Sequence, residues 1–404
     1  TYGARHMDNQ KVNSYGIVGS IYANYIIQSI ALIVIMQFSQ SLSQQLNTDI
    51  VGLGYVASGI GIGKICLMFV GGVLSDKFGR KLFIYLGMTC YAIFFIGMIF
   101  CTNINIAYCL AIAIGVGNSF LDTGSMPALT ECFPRSAGSA SVLIKAFISI
   151  GTLILPLIAT FFYANQIWYG WAFLGFTAYL VINGLLLPKQ FPHKDTVIKG
   201  YQGEVNYFKS NPAFGCEGIL LILMGFTTTA TFVIILQWLP TIAIKGVNMS
   251  DIDAKQLISY YSVASIISVF VTAFVVKHLL KPIFCIIILP ALSALVLIIF
   301  YFHISPVMCV IAAIGMGFTA AGGVLQLTLV VMQQMFPTRK GLAVGCMYTF
   351  SGLAFVVIPL IVPKLTMINV SYAILIDFFI ALLSVIFGSI IFYRFKKVID
   401  FTKI

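Results

Sequence analysis

Three ionisable side chains lie deep inside long apolar segments in the first half of this sequence. They are Lys64, Asp122 and Lys145. At 1.5 Å per helical residue, they stand about 16, 15 and 10 Å from the polar ends of their segments on one membrane side. These depths are similar enough for the three to meet. Because a charged group inside a bilayer is destabilising by several kcal/mol, each is a candidate functional residue.

Asp122 is the candidate carrier of a coupling proton. Burial favours the neutral acid and a nearby lysine favours the carboxylate, so a change of surroundings between access states would move a proton on and off. Lys64 and Lys145 give the cluster one excess positive charge, which suits a carboxylate or another anionic solute. The alternative interpretation is a structural Asp122–Lys145 ion pair that only orients two helices.

Helical spacing places these charges on polar stripes. One stripe comprises Gly115, Asn118, Asp122 and Ser125, and a second comprises Ser141, Lys145, Ser149, Thr152 and Pro156. Because a polar stripe is unfavourable against lipid, both are predicted to face the protein interior or a water-filled cavity. Asn24 and Gln28, one turn apart near the N-terminus, are predicted to face the same cavity.

The composition indicates that these stripes lie on membrane-spanning helices. Hydrophobic residues make up 60% of the chain and charged residues 9%, against roughly 25% charged in soluble domains. About 20 apolar residues cross a bilayer as a helix. We predict an all-α membrane protein with twelve transmembrane helices, over 15–43, 50–75, 82–102, 105–131, 138–164, 167–188, 213–243, 254–277, 282–302, 305–335, 341–364 and 369–394.

Other classes of protein are disfavoured. The net charge is +11, but the basic residues lie in short loops between apolar spans, so no nucleic-acid partner is predicted. The cysteines are scattered singly without a CxxC pair, and neither zinc nor another cofactor is expected. An enzyme is disfavoured because no nucleophile–base set, HExxH motif or phosphate loop is present.

The spans divide into two related halves, which predicts two pseudo-symmetric six-helix bundles. Phe133-Pro134 followed by Gly138 is matched by Phe336-Pro337 followed by Gly341, and a proline follows each glycine at the same distance. Such duplication is typical of alternating-access carriers. The predicted divisions are 1–14 (a tail with an expression remnant), 15–188 (first bundle), 189–212 (cytoplasmic linker), 213–394 (second bundle) and 395–404 (tail).

The orientation follows from the distribution of lysine and arginine. One set of loops and termini holds nearly all of these residues outside the spans, and the opposite set holds only Lys245, Lys255 and Lys364. Basic loops face the cytoplasm. We therefore predict a multi-pass protein of the cell membrane with both termini cytoplasmic, acting as a monomer.

A glycine-rich basic loop joins the second and third spans, with the sequence Gly72-Val73-Leu74-Ser75-Asp76-Lys77-Phe78-Gly79-Arg80-Lys81. Gly72 is expected to allow close approach of a neighbouring helix, and Gly79 a tight turn. The order of residues resembles the hallmark loop of the major facilitator superfamily. With the twelve spans, the repeat and the central linker, this resemblance covers essentially the whole chain.

The resemblance implies roles in conformational gating. Asp76 would clasp the start of the eleventh span and stabilise the outward-facing state. Arg80 would join a charge cluster with Glu131 and Arg135. The corresponding loop in the second half lacks the glycines and the acid, so the clasp is expected only in the first half. The sequence marks of drug/proton antiporters and of sugar facilitators are missing.

The second half offers neutral and aromatic candidates for binding a solute. With Asn24, Gln28, Asn118 and Lys145 of the first half, the predicted solute-binding residues are Thr228, Gln237, Trp238, Tyr260, Tyr261, Gln326 and Tyr348. The leading prediction is a proton-coupled symporter of a small polar or anionic organic compound. A proton-driven drug or metabolite exporter and an uncoupled facilitator remain alternatives.

Overall fold

The computed structural model describes residues 14–132, 137–189, 191, 209–210, 212–336 and 340–400. These residues form fourteen α-helices and one π-helical turn, Phe214–Gly218, which leads into α8. The helices are α1 Ser14–Gln37, α2 Ser39–Leu46, α3 Ile50–Phe78, α4 Arg80–Phe100, α5 Ile104–Cys132, α6 Ala137–Ala164, α7 Gly170–Leu186, α8 Ile219–Val247, α9 Asp251–His278, α10 Pro282–Phe302, α11 Pro306–Thr319, α12 Val324–Met335, α13 Lys340–Ile368 and α14 Ser371–Val398.

The helices make up the twelve predicted spans. α1 and α2 together form the first span, α11 and α12 together form the tenth, and every other span is one helix. In the described part of the chain, 11 helical segments are long and apolar enough to cross a membrane. The shorter apolar helix α7 completes the set. The prediction of an all-α, twelve-span membrane protein is therefore confirmed.

The surface is that of a protein surrounded by lipid. Large apolar side chains point outward, including Leu185 at 82% exposure and Phe69 at 67%. Many polar side chains, such as Asn24, Ser119 and Thr229, are almost fully buried. This distribution follows from the bilayer, where apolar side chains face the lipid and polar groups must find partners inside the protein.

The chain packs as two bundles that meet along two helix pairs. In the first bundle α5 packs against α3 and α4, while α1 packs against α6 and α7. In the second, α14 packs against α8 and α10, while α9 packs against α11. The main contacts between the bundles are α3 with α13 and α6 with α9. The predicted linker lies mostly outside the described residues.

The bundles are closed against each other at the membrane side away from the start of α1 and the end of α14. At that side a Cβ on Gly54 would lie 2.4 Å from the carbonyl oxygen of Pro359. Gln256 donates to Thr160 there at 2.7 Å. The conformation is therefore one in which the central space is sealed from that side.

The tenth span is broken between α11 and α12. Gly323 ends the break with φ 111°, a backbone conformation that L side chains rarely adopt. A helical polar group freed by such a break must find another partner, and the Ser268 hydroxyl donates to the Phe318 carbonyl. The sequence prediction of one continuous helix over 305–335 missed this break, although Gly322-Gly323 marked its position.

Candidate functional site

A cavity lies between the two bundles. Its walls come from α6, α8, α9 and the broken tenth span. The lining residues are Lys145, Ile148, Ser149, Thr152, Phe232, Leu236, Tyr261, Ser265, Ala320, Ala321, Leu325 and Gln326. Three of the predicted solute-binding residues, Lys145, Tyr261 and Gln326, are thus brought together from three different spans.

Lys145 is the only charged residue among those lining this cavity. Its Nζ lies 5.7 Å from the centroid of the Phe232 ring on α8, within cation–π range. Among the described residues no carboxylate lies within 4.0 Å of it. The ammonium group therefore keeps its charge unpaired toward the cavity, where it could bind a negative or strongly polar group of a solute.

Asp122 lies in the interior of the first bundle, with 9% of its surface exposed. The Tyr25 hydroxyl donates to its Oδ1 at 3.0 Å and the Gln28 amide donates to the same oxygen at 3.4 Å. No lysine of the described chain lies within ion-pair distance of it. In this conformation the acid is held by α1 rather than paired with Lys145.

Lys64 connects the two bundles. Its Nζ lies 5.8 Å from the ring centroid of Tyr348 and 5.5 Å from that of Phe355, both on α13. Only 8% of its surface is exposed. Lys64 and Lys145 both lie close enough to act electrostatically on Asp122. The three charges thus share one region, as their depths predicted, without direct pairing.

A seam of small polar side chains joins α6 to α9. Ser149 bonds Ser265 at 3.1 Å, and Thr152 bonds Ser262 at 2.7 Å. Ser259 donates to the Leu153 carbonyl at 3.3 Å. The predicted stripe of the fifth span therefore faces the other bundle, where short hydroxyl side chains allow two helices to approach closely.

Several predicted solute-binding residues lie elsewhere. Asn24 accepts a hydrogen bond at 2.8 Å from Asn183 of α7, and Asn118 accepts one from Tyr91 of α4, so both face the inside of the first bundle. The reason is that a polar side chain in a span can be satisfied by a neighbouring helix as well as by a cavity. Gln28 contacts Asp122 and is not a cavity-lining residue.

The predicted solute-binding residues of the second half also lie in several different places. Tyr260 is 48% exposed on the outer surface, because consecutive helical residues point about 100° apart and Tyr261 takes the inward position. Trp238 is fully buried. Gln237 donates to the Leu32 carbonyl at 3.3 Å, joining α8 to α1. Thr228 lines a second, smaller cavity inside the second bundle.

Residues that the sequence interpretation missed complete the site. Tyr25 holds the proton-carrier candidate, Phe232 lies against Lys145, and Phe355 lies against Lys64. An isolated aromatic residue in an apolar span carries no signal of such a role. The polar residues of α9 did carry a sequence signal, because serines recur there at every third position: Ser259, Ser262, Ser265 and Ser268.

The loop between α3 and α4 is a tight turn at Gly79, whose φ of 99° favours glycine. Arg80 donates to the Ser75 hydroxyl at 3.1 Å, and Ser75 donates to the Thr123 carbonyl of α5 at 2.8 Å. The expected close approach at Gly72 is wrong, because a Cβ there would meet Thr123 at an ordinary 3.9 Å. The side chains of Asp76 and Glu131, and all of Arg135, lie outside the described residues.

Glu217, in the π-helical turn before α8, is fully buried. Its Oε1 accepts a 2.8 Å bond from Arg394 of α14, and its Oε2 accepts one from the Ala213 backbone at 3.0 Å. A buried carboxylate requires such pairing. This ion pair fixes the first turn of the seventh span to the end of the twelfth.

Comparison with known proteins decides the family. The profile of the Major Facilitator Superfamily matches residues 18–338. The chain belongs to the Major Facilitator Superfamily. It is 38% identical to the inner membrane transport protein YdiN of Escherichia coli, over 94% of this chain and 90% of that protein. It is 35% identical to the uncharacterized MFS-type transporter YfkL of Bacillus subtilis, over 96% of this chain and 98% of that protein.

A solved structure of this superfamily has the same fold. The crystal structure of a D-xylose-proton symporter superposes with a TM-score of 0.72, covering 93% of this chain and 97% of that chain at 14% identity. Such low identity supports the fold alone. The superfamily resemblance read from the loop motif and the repeat is thus confirmed, and the chain is a multi-pass membrane transporter.

Proposed function

We propose that this transporter carries a small polar or anionic organic solute by proton-coupled symport. Lys145 would bind the negative or most polar group of the solute, and Asp122 would carry the proton. One observation supports this most directly. The cavity between the bundles presents a single unpaired cation, while the nearby acid is held only by hydrogen-bond donors.

The other side of the cavity suits neutral polar groups of the solute. The Tyr261 hydroxyl and the Gln326 side-chain oxygen are buried and have no hydrogen-bond partner in the described structure. Both line the cavity opposite α6. Because an unsatisfied buried polar group is destabilising, a solute that carries hydroxyl or amide groups would gain affinity by pairing with them.

Transport would proceed by rocking of the two bundles about this site. Lys64 is suited to sense that movement, since it lies on α3 while its aromatic neighbours belong to α13. Separation of α3 from α13 would remove these neighbours and change the surroundings of the ammonium group near Asp122. The proton affinity of Asp122 would then differ between the two access states, as proton coupling requires. We place the protein in the cell membrane as a monomer with both termini cytoplasmic.

The deciding experiment measures proton movement in sealed proteoliposomes. A pH dye is enclosed, and sugars, carboxylates, amino acids and drugs are added outside in turn. Symport predicts proton entry with one class of solute and its loss in Asp122→Asn. Asp253→Asn is the matched control, because its exposed carboxylate accepts a hydrogen bond from Ser250 at the start of α9, far from the cavity.

The alternatives give different results in the same assay. A proton-driven exporter would move protons against the direction of the solute and would accept broad apolar compounds. An uncoupled facilitator would show no proton entry, with radiolabelled exchange that persists in Asp122→Asn. Either result would overturn the proposal of symport.

A further inference from the structure

The break in the tenth span borders the cavity between the bundles. Ala320 and Ala321 follow the end of α11, Leu325 and Gln326 belong to the first turn of α12, and all four line that cavity. One helix end presents carbonyl groups at the break and the other presents N–H groups. Which of these groups lack partners decides the sign of the charge that the cavity attracts.

The carbonyl groups at the end of α11 have partners within the protein. The Met316 carbonyl accepts a hydrogen bond from the Ala320 N–H at 2.8 Å. The Phe318 carbonyl accepts one from the Ser268 hydroxyl of α9. This side of the break is therefore already satisfied without a solute.

The N–H groups at the start of α12 are different. Gly323 precedes the helix and no side chain caps it. The N–H groups of Val324, Leu325 and Gln326 donate to no other residue in the described structure. A helix N-terminus with free N–H groups carries a partial positive charge and is suited to bind an anion.

The charges around the cavity match one anionic group. Lys145 contributes the one full charge of the lining, and the start of α12 adds its partial charge from the other bundle. Lys64 is not a lining residue, because its ammonium group lies against the rings of Tyr348 and Phe355. A dianion would find no second full charge, and a neutral sugar would leave Lys145 without a counter-ion.

The unpaired polar atoms of the cavity suit a hydroxyl group. Tyr261 is only 3% exposed, and its hydroxyl and the Gln326 Oε1 have no hydrogen-bond partner in the described structure. A solute hydroxyl can accept from a phenol and donate to an amide oxygen. A solute ammonium group could only donate. It would also be repelled by Lys145 and would find no carboxylate among the lining residues.

We propose that the solute is a compact hydroxylated monocarboxylate. Its carboxylate binds Lys145 and the first turn of α12, and a hydroxyl group bonds Tyr261 and Gln326. The carbon skeleton packs on the apolar wall formed by residues such as Phe232. This assignment rests on the proposed transport function and narrows it to one class of solute, to the exclusion of sugars, zwitterionic amino acids and dicarboxylates.

The test measures thermal unfolding of the purified full-length protein in detergent at neutral pH and constant ionic strength. The first set of probes shares a three-carbon skeleton: lactate, propionate, malonate, alanine and glycerol. A six-carbon set comprises gluconate, hexanoate, adipate, norleucine and sorbitol. Because a ligand that binds the folded state raises the melting temperature, lactate or gluconate should raise it at the lowest concentration within its set.

Variants separate recognition of the hydroxyl group from recognition of the carboxylate. Gln326→Leu and Tyr261→Phe should each weaken binding of the hydroxylated acid about two- to tenfold, as expected for one hydrogen bond, and leave the plain acid unchanged. Lys145→Met should weaken both acids alike and keep the preference between them. Tyr260→Phe is the matched control, since its side chain is 48% exposed on the outer surface. Two hydroxyl-site variants keep the test available if one does not fold.

Several results would overturn the proposal. They are equal responses to the hydroxylated and plain acids, a stronger response to the dicarboxylate, amino acid or polyol, or no response to either set. Binding in detergent needs no proton gradient, so it is independent of coupling. The expected preference without proton entry in proteoliposomes would contradict symport alone, whereas proton entry driven only by sugars or amino acids would contradict the solute class alone.

Discussion

Tyr25 shows how a single phenol can define the role of an acid. Its hydroxyl donates the shorter of the two hydrogen bonds to Asp122, and both donors belong to α1. A carboxylate stabilised by two donors need not pair with a lysine in order to stay inside the membrane. Lys145 is thereby left unpaired for a solute.

Tyr25→Phe should reduce proton-driven uptake more than solute exchange. The change removes one donor to Asp122 and leaves the ring in place, so the proton step is disturbed while the solute cavity is not. Uptake driven by a pH gradient and counterflow without a gradient are measured in the same proteoliposomes. Tyr22→Phe, one turn away on α1, is the control because its ring stacks on Phe147 at 4.6 Å. Equal losses in both assays would contradict the assignment.

Lys145→Met should weaken binding of an anionic solute about tenfold or more. A hydrogen bond to a charged group contributes about 1.5–3 kcal/mol, and about 1.4 kcal/mol corresponds to a factor of ten. The half-saturating concentration in counterflow gives the measurement. Lys255→Met is the matched control, since this buried lysine lies over the Tyr163 ring at 4.2 Å and does not line the cavity. Unchanged affinity in Lys145→Met would remove Lys145 from the solute site.

At the scale of helices, the two bundles approach each other through glycines at the α3–α13 pair and through hydroxyl side chains at the α6–α9 pair. A Cβ on Gly61 would lie 2.5 Å from the Val356 backbone nitrogen, so α3 and α13 touch backbone to backbone. The α6–α9 pair is held by hydrogen bonds such as Thr152–Ser262. Contacts of this kind are short-ranged, and they are lost together when the helices separate.

Gly61→Ala should shift the population away from the conformation seen here. The added methyl group meets main-chain atoms of α13, which cannot yield as a flexible side chain would. Spin labels at positions 44 and 367, both exposed near the closed side, should report a longer distance between the bundles.

The matched control for this change is Gly345→Ala on α13. A Cβ at that position would meet nothing within 4 Å, so the labelled distance should stay as in the wild type. A Gly61→Ala protein with the wild-type distance would show that the bundles are not held in register by this contact.

For the whole molecule, the closed side lies away from the start of α1 and the end of α14. If basic loops face the cytoplasm, the central cavity is sealed from the outside in this conformation. A fluorescent protein fused to the C-terminus should therefore fold and fluoresce in cells, whereas an alkaline phosphatase fused at the same point should remain inactive. Active phosphatase at the C-terminus would contradict the predicted orientation. The closed side would then face the cytoplasm.

The sequence by itself determined the span number, the duplication and the depth of the three charges. Each of these depends on local composition and helical rise, which a bilayer enforces on every segment separately. Lys64, Asp122 and Lys145 could be selected because a charge in an apolar span is conspicuous. The superfamily was recognisable from the Gly72–Lys81 loop because this motif is one contiguous stretch of sequence.

Only the tertiary structure decided which partner each polar side chain has. Asn24 and Gln28 lie one turn apart, yet Asn24 bonds Asn183 and Gln28 bonds Asp122. Tyr260 and Tyr261 are adjacent, yet one is on the surface and the other lines the cavity. Periodicity places a residue on a helical face, but the helix that covers that face is set by packing between segments distant in sequence. For this reason a set of three charges was predictable, whereas the cavity built around Lys145 was not.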